Sequence, residues 1–332
     1  MPASRVWNVL AVVLVSCSPL IFLPPLPAEE LVLQRVLVPT VKAAEPPVVT
    51  AVAFSPDGRV AATAGDDHLV RLWEAGGGTV IRELRGHTDW VRAVAFHPAG
   101  KCLASAGDDH FVRIWDAESG RLVHSLGGKH PFFCLAFQPP GHLLAAGGFE
   151  NELHLFDTET GDQTHALVCP DVDVRAVAVS PDGRWLAAGG RNGCIRVWNT
   201  DGFKPACDIL AHRQRVRSLI FSGDSRRIVS GGDDRRVCIW NTETGSEIST
   251  LPNKSGKIEA LVFCGPDLVA FGTTDNSIRL WDLSQNIETA RRNDHTGSVA
   301  ALAYHPVERR LISGAFDATA RIWKLSSGGE PK

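Results

Sequence analysis

Methionine occurs once in this 332-residue sequence, at position 1, so a core has to be built from Val, Leu, Ile, Ala, Phe and Trp. Charge of one sign is missing as well: 34 Lys plus Arg stand against 37 Asp plus Glu. That balance removes any global pull towards nucleic acid or an anionic membrane surface. No Cys-x-x-Cys pair, haem-attachment motif, phosphate-cradling glycine loop or Gly-x-Ser-x-Gly elbow occurs. Nor is the chain poor in hydrophobic residues, which at 44% exclude a disordered profile. The length admits one large domain or two or three ordinary ones. What is plentiful is turn chemistry: 31 Gly and 20 Pro mark a turn-rich β protein.

The stretch SAGDDHFVRIWD, residues 105 to 116, sets a functional question. It supplies Ser105 and Asp109, and His87 lies upstream in RGHTDW. Those are the residue types of a hydrolase triad, which is recognised by geometry and role rather than by composition. A nucleophile is needed once, whereas a structural fastening recurs, so internal repetition separates the two readings. The segments LVRLWE, FVRIWD, LHLFD, CIRVWN, RVCIWN, SIRLWD and ARIWK follow one another along the chain. Their aromatic residues, Trp73, Trp115, Phe156, Trp198, Trp240, Trp281 and Trp323, are spaced by 42, 41, 42, 42, 41 and 42 residues. Each unit opens with an apolar alternation (TAVAF, RAVAF, CLAF, RAVAV, SLIF, ALVF, ALAY), turns, and runs into small residues and glycine. A tight acidic turn leads to the aromatic strand, and another turn opens a fourth. Four short strands per unit of this period are the signature of a β-propeller blade.

On these residues the chain resembles the WD-repeat β-propeller family, over seven units from about residue 48 to 326. The resemblance implies an all-β, seven-bladed propeller of four-stranded antiparallel blades around a central channel. It also implies a scaffold for protein assembly more often than an enzyme. In that family a buried hydrogen-bond chain ties the loop before a blade to its second and third strands. His87, Ser105, Asp109 and Trp115 match this tetrad. His212, Ser230, Asp234 and Trp240 repeat it without gaps, as do His295, Ser313, Asp317 and Trp323. Three copies assign the motif to fold specification, and no catalytic residue is expected. Blade one keeps Thr63, Asp67 and Trp73 but has Glu45 at the histidine position. Blade three carries Ala146, Glu150 and Phe156, blade four Ala188 and Asn192, blade six Phe271 beside Asp275 and Trp281. Blades three, four and six are therefore expected to depend more on packing than on this network.

The last unit runs out without a fourth apolar segment, while LVLQRVLVPTVK, residues 31 to 42, is an orphan β-like stretch. An unfilled blade would expose a sheet edge, so residues 29–47 are expected to close the ring as the outer strand of blade seven plus a linker. Residues 327–332 form a tail. Residues 1–28 carry one arginine, no acid and an apolar stretch from Val9 to Val15. They read as a secretory signal cut after Ala28, as a lipoprotein signal with Cys17 acylated, or as an uncleaved membrane anchor. Each points to export; the alternative is a cytoplasmic protein. Seven further cysteines (Cys102, Cys134, Cys169, Cys194, Cys207, Cys238, Cys264) have no metal-ligand spacing and read as small apolar core residues. Cys169 and Cys207, on neighbouring outer strands, are the one conceivable disulfide pair.

In propellers of this type the loops entering each first strand and those joining strands two and three share one rim. Blades four and five place Arg191, Arg213, Arg215, Arg235 and Arg236 there, the densest basic run in the chain. Arginine suits bidentate recognition of carboxylate or phosphate, so these are candidate partner-binding residues, against the bland alternative of a solvated basic rim. Trp90, outside the tetrad positions, is expected to be exposed and is a second candidate. Asp66, His68, Asp89, Asp108 and His110 sit in blades one and two, where recurrence accounts for them without a metal. The expected function is a non-catalytic scaffold, monomeric, that binds a protein or peptide partner (an acidic one on charge grounds) on the rim. No cofactor, metal or nucleic acid is expected. The alternative is an enzyme or small-ligand binder using the central channel around His68 and His110.

Overall fold

A computed structural model describes residues 29–39, 46–252 and 256–327. Among these, twenty-eight strands form seven four-stranded antiparallel sheets, each a blade. Six blades take four consecutive strands. The seventh is ordered Val299–His305, Arg310–Ala315, Ala320–Ser327, and then Glu29–Leu37 (β1), so the start of the described chain closes the ring as expected. β1 carries a register shift between Leu33 and Arg35, opposite Trp323 and Ile322. The same shift recurs where the outer strands of blades one and two pass Trp73 and Trp115. β1 therefore fills its slot with the geometry of a native fourth strand.

Burial follows strand position within each blade. The second strands end in five buried residues in every blade, as in Cys102–Gly107 (CLASAG) and Arg227–Gly232 (RIVSGG). Small residues are required there because neighbouring blades press on both faces. At the end of the blade-four strand a Cβ on Gly190 would stand 1.7 Å from the carbonyl oxygen of Asp173, so only glycine fits. Outer strands alternate weakly and are mostly exposed. The hydrophobic residues gather in seven clusters, each bridging two adjacent blades, and Trp73, Trp115, Trp198, Trp240, Trp281 and Trp323 all lie in them. β1 contributes to two: Leu31 packs between blades six and seven, and Leu37 between seven and one.

Residues 1–28, with Cys17 and Ala28, lie outside the described residues, as does Glu45. Among the described residues no helix is long and apolar enough to cross a membrane. Cys169 and Cys207 are both free thiols, as are the other five described cysteines; burial pushes Cys134 and Cys169 up to about 12.

Candidate functional site at the channel mouth

The histidine, serine and tryptophan of blades two, five and seven meet in the same way three times. His87 Nδ1 lies 2.9 Å from Asp109, and its Nε2 lies 2.8 Å from Ser105 Oγ. Trp115 Nε1 donates to the same Oγ at 2.8 Å. Ionised Asp109 only accepts, so Nδ1 carries the ring proton and Nε2 accepts from the serine. His212, Ser230, Asp234 and Trp240 repeat these bonds at 2.9, 2.8 and 2.8 Å. His295, Ser313, Asp317 and Trp323 do so at 2.8, 2.7 and 2.9 Å. Each aspartate also accepts a backbone N–H from the residue after the histidine, which pins the incoming loop to the turn: Thr88, Arg213 and Thr296. Burial lowers the pKa of His87 and His295 even against their carboxylate partners. Burial opposes ionisation of Asp109, but hydrogen bonds from His87 and Arg113 hold its carboxyl well below the usual range. All three serines are fully buried. A hydroxyl so enclosed, with both neighbours bonded, offers no face to a substrate.

Blades three, four and six lack the tetrad bonds, as expected, and carry other polar ties beside their packing. In blade three His154 projects from the third strand and meets Glu150 at 2.7 Å, stacking on Phe156. In blade four buried Asp171 accepts the backbone N–H groups of Gly190 (2.8 Å) and Asn192. In blade six Thr273, Asp275, Ser277 and Arg279 form their own chain. An arginine two positions before the aromatic residue adds a further tie to the turn carboxylate: Arg71–Asp67 and Arg113–Asp109, both 2.6 Å.

The rim forms as the topology requires. In blades two to seven the first residue after the second strand donates its N–H to the loop entering the first strand, as in Asp108 to Trp90 and Asp233 to Arg215. The candidate arginines do not behave alike there. Arg213 and Arg235 are exposed on the rim. Arg191 is held by Asp173 at 3.0 Å, and Arg215 stands 3.9 Å from Asp233. Arg236 turns away: its guanidinium donates to Thr250 Oγ1 at 2.9 Å and lies 3.5 Å from Glu247, both on the outer strand. Trp90 is half-buried rather than exposed, because the Arg92 guanidinium lies 4.4 Å over its ring while ion-pairing with Asp108.

His68 and His110 occupy left-handed turn positions (φ 67° and 68°), shared by Arg235 at φ 68°. Their recurrence is thus a backbone matter. Among the described residues the single group of three donor side chains within 4.8 Å is Glu150, Glu152 and His154, which does not include them.

At the mouth of the central channel, a cavity of ≈230 Å³, the second residue of each first strand faces inward. Those positions hold Arg92, Phe133, Arg175, Arg217 and Glu259 in blades two to six. These positions were not singled out from the sequence, although each is the polar or aromatic second residue of a first strand that is otherwise largely apolar. Burial raises the pKa of Glu259, which lies 3.8 Å from Arg217.

A seven-bladed ring with repeated His–Ser–Asp–Trp fastenings defines a class, and sequence comparison agrees with it. Residues 48–206 match the family described as the IFT122 first beta-propeller, and residues 203–241 and 288–324 match the WD domain, G-beta repeat. The chain carries WD40 repeats and an IFT122-type propeller region within one seven-bladed propeller. It is similar to pre-mRNA-processing factor 19 homolog 2 of Arabidopsis thaliana, 33% identical over 25% of this chain and 17% of the relative. It is also similar to transducin beta-like protein 3 of Rattus norvegicus, 37% identical over 18% of this chain and 8% of the relative. A 42-residue segment is 48% identical to the protein named probable serine/threonine-protein kinase PkwA of Thermomonospora curvata, covering 13% of this chain and 6% of that protein. The chain thus spans 17% or less of the length of each of these three relatives.

Proposed function

We propose that the protein is a non-catalytic scaffold whose rim and channel mouth bind a protein partner. The observation that carries this is the concentration of guanidinium groups at the blade-four and blade-five sector, mounted on a closed ring. Loops anchored by the turn carboxylates are already ordered, so binding there sacrifices little conformational entropy. The one constellation that resembles catalytic machinery occurs three times with its hydroxyl buried, which supports a fastening role. The WD40 repeats and the named relatives support a protein-interaction role in the same direction.

The test is crosslinking capture from native cells with the native protein beside an Arg213→Glu, Arg215→Glu, Arg235→Glu variant whose melting curve shows it folded. A partner retained by the native protein and lost by the variant is expected. Capture of no partner by either protein would defeat the scaffold reading. The apolar N-terminal segment supports export as the setting. Mass spectrometry of the mature N-terminus distinguishes a cut after Ala28, an acylated Cys17 and a retained anchor; an intact, soluble cytoplasmic chain would overturn export.

A further inference from the structure

The channel mouth between blades three and five is built from two unlike parts that meet. The first is a group of cations that outnumber their carboxylates. Asp173, its side chain almost wholly buried, takes Arg175 Nε and Arg191 Nη2 on the same oxygen, each at 3.0 Å. Asp233 takes Arg217 Nε at 2.8 Å, while Arg215 and Lys257 stand off at 3.9 Å. With Glu259 beside Arg217, five cations share three carboxylates. Arg215 Nε is buried and makes no hydrogen bond. Two guanidinium groups on one oxygen leave further N–H donors of each available, and a guanidinium presents those donors in a planar fork suited to a second carboxylate.

The second part is aromatic. Phe133 and Phe149 meet edge to face with ring centres 6.4 Å apart. The Arg175 guanidinium carbon lies over the Phe133 ring, 3.7 Å from its centre, and that of Arg191 lies 5.4 Å from the centre of Phe149. Phe149 remains 48% exposed, so its outer surface is open beside the cation group. A guanidinium held over a ring face is attracted by the ring quadrupole, which favours these placements.

We infer that this mouth is the docking site for an acidic protein segment in which a carboxylate side chain stands next to an aromatic or aliphatic one. The carboxylate engages Arg191 and Arg217 around the channel, and the apolar neighbour covers Phe149. Two complementary features adjoin here, where a simple anion would use only one. The inference rests on the protein-binding reading above and assigns it to residues that exclude the outward-turned Arg236.

The experiment uses the full chain and a fluorescein-labelled peptide, Glu-Asp-Phe-Glu-Asp-Leu, read by fluorescence polarisation. Its controls are the amide peptide Gln-Asn-Phe-Gln-Asn-Leu and an acidic peptide with Gly in place of Phe and Leu. The acidic–apolar peptide is expected to bind about tenfold or more tightly than the amide peptide, and to weaken as salt rises. Arg217→Gln should weaken it about tenfold, a loss of about 1.4 kcal/mol converted from that ratio. Because Arg217 partners Asp233, the exposed Arg191→Gln and Phe149→Ala serve as variants that leave Asp173 paired by Arg175 and Asp233 by Arg217. Arg191→Gln should weaken both acidic peptides, and Phe149→Ala only the one containing Phe.

Equal binding of acidic and amide peptides, or no binding of either, would overturn the site. So would complete displacement by inorganic phosphate with no discrimination between the two acidic peptides, which would leave a simple anion site. A partner captured from cells in the absence of peptide binding would remove this site and keep the scaffold reading. Specific peptide binding with no captured partner would do the reverse.

Discussion

Ser230 shows how much one hydroxyl can hold at the residue scale. It accepts from Trp240 Nε1 and donates to His212 Nε2, and His212 in turn donates to Asp234. Removing the imidazole leaves a buried hydroxyl without an acceptor and strips Asp234 of its side-chain donor, leaving only backbone N–H groups, and buried polar groups that lose partners are costly. His212→Ala is therefore expected to lower stability by about 2–4 kcal/mol, whereas exposed His130→Ala should stay within about 0.5 kcal/mol. Urea titrations at unchanged m decide it, and equal midpoint shifts would strip the tetrad of its assigned role. Repetition made these residues legible, since His87, His212 and His295 stand at one place in the period. Asp171 was not legible, because it serves the same turn by accepting backbone N–H groups, which leave no trace in side-chain spacing. Arg175 and Arg217 were legible in principle through strand alternation. Loop charge pointed instead to Arg236, whose direction depends on Thr250 and Glu247 across the strand pair.

At the scale of a single element, β1 is where the ring either closes or stays open. Its pairing with the third strand of blade seven runs from Glu29 opposite Ser327 to Leu37 opposite Ala320. Arg309 binds the Glu29 carboxylate at 2.8 Å, and Arg292 of blade six donates to the Leu31 carbonyl at 2.7 Å. Leu31 and Leu37 are buried in different inter-blade clusters, while Leu33 and Val36 between them face solvent. Leu31→Ala should cost about 2–5 kcal/mol, the range for a large core side chain truncated in place, and Leu33→Ala should cost well under 1 kcal/mol. Equal costs, measured by chemical denaturation, would mean that β1 does not pack as a structural strand. The orphan segment was recognisable as a β-like stretch matching the strand missing from the last unit, but its limits were not. The strand begins at Glu29 and ends at Leu37, ahead of Pro39, which has no N–H to extend the ladder.

Across the whole molecule, closure ties every blade to two neighbours, so a charge change in a few blades is felt by the entire ring. The titrating tetrad groups lie in blades two, five and seven. Burial keeps the pKa of His87 and His295 below the ordinary value, so the unfolded chain takes up protons near pH ~6.5 that the folded chain still refuses. Stability must then fall as pH drops through that value. Asp109, Asp234 and Asp317 are held below the usual carboxylate range by their hydrogen bonds, against the effect of burial. Their contribution is present above about pH 4 and is lost as pH falls further, which has the same sign. Burial shifts Asp171 and Glu259 the other way, so protonating them relieves a cost and blunts the acid-side loss. The net expectation is a urea midpoint that declines from about pH 8 to about pH 5 with one cooperative transition throughout. A His87→Asn, His295→Asn variant should be less stable overall but show a visibly shallower decline across that window. An unchanged slope would place the titrating groups elsewhere. Two separate transitions would mean that the blades unfold independently despite the strand that closes them.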